Sequence, residues 1–150
     1  MRSSASACMG VTMRLLASIV WGSLLFVGQG SQPASVTWST LKTLNATQQT
    51  SPARALNGKK VSIPGFMVPL EDDADKVTEF ILVPFAGACI HVPPPPPNQM
   101  VYVKLHSLKA KMSFSEPIMV SGTLHVATVQ SPYGDISFNM DGDSVKPYEE

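Results

Sequence analysis

The chain of 150 residues predicts a mostly β fold: a small five-stranded Greek-key barrel of the OB type, with a small open β-sandwich as the alternative. Three observations carry that expectation. Five short segments show strand patterning, each bounded by glycine, proline or acidic turn residues. No segment of the folded part repeats with a helical period long enough for a packed helix. Two of the segments hold an internal glycine, Gly65 and Gly122, where a sheet that closes on itself has to bend.

The elements start after a leader. Leu15 to Val27 is an uncharged apolar run behind Arg14, and it ends in Gly28-Gln29-Gly30. That order is the n-region, h-region and cleavage site of a signal peptide, assigned here to residues 1–30. The run is shorter than the roughly 20 residues a membrane span needs, so contact with the membrane is expected only through the leader before cleavage. Met1 and Met13 are both candidate starts. Without residues 1–30 the chain keeps 9 of its 11 basic residues and all 11 acidic ones, a net charge of −2. Such a balance excludes a basic nucleic-acid binder. Cys8 goes with the leader, which leaves Cys89 as the one thiol of an exported protein. No internal disulfide can form, so the fold has to be held by its core.

Residues 31–55 read as a flexible arm and linker, rich in Ser, Thr and Gln, with Trp38, Leu41 and Leu44 as one apolar foot. The barrel domain is expected over 56–148. Asn57-Gly58 is a turn signal, and Lys59 to Leu70 then puts Val61, Ile63, Gly65 and Met67 on one face. An acidic turn follows, Glu71 to Asp75. Glu79 to Phe85 is a nearly continuous apolar run, the pattern of a buried strand. Val101, Val103 and Leu105 alternate with Tyr102, Lys104 and His106 in a half-exposed strand. Residues 107–112 are a candidate helical turn. Pro117 to Thr128 alternates again, with Ile118, Val120, Gly122, Leu124 and Val126 inward and Ser121, Thr123 and His125 outward. Ser131-Pro132-Tyr133-Gly134 is a turn, Ile136 to Met140 a last short strand, and 142–150 a polar tail.

Reactive chemistry concentrates between the second and third strands, in Gly87-Ala88-Cys89-Ile90-His91-Val92 followed by Pro93 to Pro97 and Asn98-Gln99. Prolines have no N–H for a ladder and favour polyproline II, so they form a stiff rod. In extended backbone, Cys89 and His91 share a face. Thiolate plus imidazole favours Zn(II) or copper over hard cations. The pair supplies two ligands, and His106, His125, Glu71, Asp72 and Asp73 are candidates for the rest. Three other readings stay open. Cys89 with His91 fits an activated nucleophile, although nothing marks an orienting acid or an oxyanion hole. The proline rod fits a docking edge for a partner. The segment also fits a structural crossover with Cys89 as a small buried hydrophobe.

The segments Leu56 to Val61, Ile63 to Glu71, Phe80 to Pro84 and Gly87 to Gln99 resemble the bacterial domain-of-unknown-function family three-two-nine-nine, over about residues 38–148. The Cys-Ile-His-x-Pro-rich-Asn-Gln run is the most specific part of the likeness. The resemblance implies a small exported protein of Gram-negative bacteria, resident in the periplasm, with no enzyme activity. It also implies an accessory role in metal handling, since some members are encoded beside ABC-transporter components in operons associated with zinc limitation. Many members carry a lipobox and this chain does not. The resulting expectation is a periplasmic, non-enzymatic protein that binds a transition metal, Zn(II), through Cys89 and His91 and assists a transport system. Its alternative is a non-catalytic envelope interaction module that uses the polyproline segment.

Overall fold

In the computed structural model, the described residues are 32–45, 50–70, 75–87, 93–113 and 115–148. Ten strands run in chain order: β1 (Ala34–Ser35), β2 (Lys59–Pro69), β3 (Lys76–Val77), β4 (Glu79–Val83), β5 (Val101–Leu105), β6 (Ala110–Lys111), β7 (Ile118–His125), β8 (Val129–Ser131), β9 (Gly134–Ile136) and β10 (Phe138–Pro147). One short helix, α1 (Trp38–Leu41), and two 3-10 turns, Arg54–Leu56 and Pro97–Gln99, complete the described elements.

Five strands close into a mixed barrel in the order β2, β4, β5, β10, β7 and back to β2. Only β5 and β10 are parallel; the other neighbours around the barrel are antiparallel. Since β7 precedes β10 yet lies beyond it, the path is a Greek key, the OB-like arrangement expected from the pattern.

Closure depends on β2 changing partners. Its first half, Lys59 to Gly65, pairs with β7, and its second half, Phe66 to Pro69, pairs with β4. The switch falls at Gly65, where a Cβ would stand 2.6 Å from the Val83 carbonyl oxygen. Across the barrel Gly122 faces Gly142 in register, and a Cβ at Gly122 would stand 2.2 Å from the Asp141 carbonyl oxygen. Glycine is required at both places by close approach of another backbone.

Alternation fills the barrel as expected. Val61, Ile63 and Met67 of β2, Phe80 and Leu82 of β4, Val101 and Val103 of β5, Val120 and Leu124 of β7, and Phe138 and Met140 of β10 form one buried cluster. The opposite face of β4 is buried too. Ile81 and Val83 pack with Met100 and Ile136 in a second cluster, flanked by Phe66, Val68, Leu70, Tyr102 and Tyr133. Two buried faces explain the unbroken apolar run of β4. That run ends earlier than expected, because Phe85 lies beyond the strand and is 48% exposed.

Four expectations need correction. The arm is packed, not free: β1 runs parallel to β2, Val36, Leu41, Leu44 and Ala53 join the core, and Trp38 Nε1 donates to the Pro64 carbonyl at 2.7 Å. A few apolar residues within a polar segment suffice to dock it. Residues 107–112 form no helical turn; Ala110–Lys111 is β6, paired with β3 so that Val77 and Ala110 are buried. The polar tail continues as β10 to Pro147, pairing with β7 past an irregularity between Gly142 and Ser144. Ladder bonds belong to the backbone, so an edge of polar side chains hides such a strand from pattern reading. The proline rod is shorter than five residues, since Pro97 opens a 3-10 turn. The expected leader, residues 1–30, lies outside the described residues. Among those described, no helix is long and apolar enough to cross a membrane.

Candidate functional site

Cys89 and His91 lie outside the described residues, as do the proposed extra ligands Glu71, Asp72 and Asp73. The described residues include both flanks of the Cys-His loop. It joins β4 to β5, antiparallel neighbours with Leu82 opposite Val101. Gly87 enters it at φ 76, a left-handed turn that glycine adopts without penalty.

The loop leaves through prolines. Pro96 has φ −56 and ψ 152, within the polyproline II region, and Pro95 is buried while Pro93, Pro94 and Pro96 are exposed. Four hydrogen bonds hold the exit, three of them to other parts of the fold. Asn98 Nδ2 donates to the Lys42 carbonyl at 3.2 Å and the Leu44 carbonyl at 2.9 Å. Gln99 N–H reaches the Pro96 carbonyl, and Ser137 N–H reaches the Pro97 carbonyl. The docked segment after α1 thus holds the rod behind the two candidate ligands.

The other two histidines, His106 and His125, lie among the described residues. His106 follows the far end of β5, about 16 Å along the strand from Val101 at ~3.3 Å per residue. Both histidines point outward, as the alternation required, and both meet one carboxylate. His106 Nε2 lies 2.9 Å from Asp141 Oδ1, and His125 Nε2 lies 3.1 Å from Asp141 Oδ2. Hydrogen bonding from His106, more than that from His125, holds the Asp141 carboxyl below its ordinary range. Among the described residues no group of three or more His, Cys, Asp or Glu is arranged to hold a metal ion. The two imidazoles are partners of Asp141, which spans β5, β10 and β7.

Asp141 belongs to a polar row that runs around the barrel. Register pairs Lys60 with Thr123, Thr123 with Asp141, Asp141 with Lys104, and Lys104 with Glu79. Lys104 Nζ lies 2.8 Å from Glu79 Oε1, and Tyr102 Oη donates to Glu79 Oε2 at 2.5 Å. The Lys104 bond, then the Tyr102 bond, lowers the Glu79 pKa. Desolvation and the bond to Glu79 push the Tyr102 hydroxyl up to about 12. Beside this row, Tyr102, Lys104, Val129, Asn139, Met140 and Asp141 line a groove of about 220 Å³. Sequence reading found the histidines but missed Asp141 as their common partner. A carboxylate just past the expected end of a strand, between Met140 and the expected tail, carries no signal until the strands are registered.

Comparison with known proteins agrees with the fold. Residues 27–147 match the family described as Protein of unknown function (DUF3299). The chain is also similar to a solved crystal structure of a DUF3299 family protein from Pseudomonas aeruginosa PAO1. The two are 36% identical over 80% of this chain and 99% of the other, with a TM-score of 0.66. No curated protein matches.

Proposed function

As the chain belongs to the DUF3299 family, we propose that it is an exported, non-enzymatic accessory protein of the periplasm that carries a transition metal, zinc, through Cys89 and His91 for an envelope transport system. The carrying observation is the anchorage of the loop exit: Asn98 is held by two carbonyls of the docked segment and Pro95 is buried, seven and four residues past His91. A thiolate and an imidazole two residues apart in the chain fit Zn(II) by donor chemistry. They fill two of the four positions of a closed site, which suits cargo that has to be handed on. A structural site would be sealed by four protein ligands.

The test is metal content. The purified protein is expected to hold stoichiometric zinc after dialysis, measured by elemental analysis, and Cys89→Ser and His91→Ala to lose it. Unchanged zinc in both variants would refute the reading.

A second reading is favoured by one observation: Phe85 at 48% exposure and the exposed Pro93, Pro94 and Pro96 flank the same loop. An interaction module would use that edge to dock an envelope partner. It predicts that replacing these prolines with alanine abolishes pull-down of the partner while zinc content stays the same.

A further inference from the structure

We infer that the groove over β5 and β10 is a binding site for a neutral polyhydroxylated ligand, a sugar ring. The groove carries no excess of either charge. Its carbonyl and side-chain lining carries one ammonium, Lys104, and one carboxylate, Asp141, on neighbouring strands in direct register. A simple anion meets Asp141 and nearby Glu79; a simple cation meets Lys104. The same carboxylates oppose a nucleic-acid backbone, which needs an electropositive track.

What remains is a ligand whose every polar group both donates and accepts. Asn139 sits at the groove between Tyr102 and His125 in register, half-buried. Its carboxamide has no partner among the described residues, so two N–H donors and a carbonyl oxygen are open to a ligand. Asp141 accepts one hydrogen bond on each oxygen from the histidines, which leaves a lone pair on each. Lys104 gives Glu79 one of its three donors and keeps two. Adjacent hydroxyls match this set, giving to Asp141 and receiving from Lys104 or Asn139.

The apolar face of a sugar also finds a surface. Tyr102 is held by its hydroxyl to Glu79, which fixes the ring, and Val129 of β8 lines the same groove. A volume of about 220 Å³ equals roughly seven water shares of ~30 Å³ each, room for one ring with the rest of a chain lying in solvent. OB barrels bind oligosaccharides and oligonucleotides over their second and third strands, here β4 and β5, and beside the strand 4–5 connection, here β8 and β9; the groove borders that region, sharing β5 and β8 with it. The charge pattern selects the first of the two ligand types.

Titration of the full chain with cellotriose and with triacetylchitotriose, followed by NMR of the Asn139 side-chain amide and the Tyr102 ring, tests the site. Saturable shifts confined to groove residues are expected with at least one sugar. Asn139→Ala is expected to weaken binding roughly tenfold, the effect of losing hydrogen bonds to a ligand. Thr123→Ala, on the same face outside the groove, leaves it unchanged. The Asn139 carboxamide makes no bond to a described residue, so its loss is not expected to endanger folding, and a thermal melt checks this. No saturable shift with either sugar overturns the assignment. So does binding that Asn139→Ala does not weaken, or an equal response to glycine, which would mark the groove as a reader of paired charges.

Discussion

Adding a single methyl group to Gly122 puts the closure of the barrel to the test. The Cβ of Gly122→Ala would stand 2.2 Å from the Asp141 carbonyl oxygen, 2.9 Å from Gly142 Cα and 3.0 Å from the Asp141 carbonyl carbon. Ordinary contact begins near 3.4 Å, so β10 has to retreat from β7 by about an ångström at this point. All three obstructing atoms are backbone, and β10 is held on its other side by five register pairs to β5. Overpacking of this kind costs about 1–3 kcal/mol. In a strand with room to spare, alanine would instead gain roughly 0.5–1 kcal/mol over glycine. At roughly 4 °C per kcal/mol for a domain of this size, the expected melting temperature is about 4–12 °C lower, measured by circular dichroism. Because Asp141 is the residue displaced, the ring signals of His106 and His125 should shift as well. A melting temperature equal to or above that of the unmodified protein would show that β7 and β10 do not approach as closely as the register requires.

Other expectations concern single contacts. Asn98→Ala removes both bonds to the segment after α1 and should cost about 1–2 kcal/mol in a denaturant titration, with faster proteolysis between 84 and 97; an unchanged midpoint would mean the loop exit is held otherwise. Trp38→Phe keeps an aromatic ring, smaller than the indole, but loses the 2.7 Å bond to Pro64, so a loss of at least about 1 kcal/mol is expected, whereas no loss would detach α1 from the stability of β2. Phe80→Ala empties a fully buried site of the barrel and should cost about 3–5 kcal/mol. The pH dependence follows from Asp141, whose carboxyl is lowered first by His106. A depressed carboxyl contributes stability above its unfolded value, about 4, and loses it as pH falls through the folded value. Asp141→Asn should therefore flatten the acid limb of the stability curve. The effect should be below about 1 kcal/mol, because the group is half exposed and solvent-screened; an unaltered acid limb would show that the histidine bonds do not form in solution.

Much of the barrel was legible in the order of residues. Strict alternation in β2, β5 and β7 reports a sheet with one face buried, and the unbroken run of β4 reports two. Gly65 and Gly122 marked the bends before any partner was known, since a glycine within a strand is costly unless something stands where its side chain would be. The docked segment was legible only in its apolar foot of Trp38, Leu41 and Leu44, and the length of β10 was not legible. Val36 and Ala53 stand singly among polar residues, and β10 beyond Gly142 pairs through its backbone with little apolar signal.

For the functional residues the division is sharper. Cys89 and His91 were identified by residue type and spacing, which are properties of the chain alone, and they remain a proposal resting on donor chemistry and on the anchored loop exit. The meeting of His106, His125 and Asp141, and the groove over Tyr102 and Asn139, follow from register between strands distant in the chain. Alternation states that a side chain faces outward; only the pairing of β5, β10 and β7 states which outward side chains are neighbours. The reason is physical: local patterning encodes burial, through the free energy of each residue's own transfer from water, whereas cross-strand juxtaposition is decided by how the whole barrel closes.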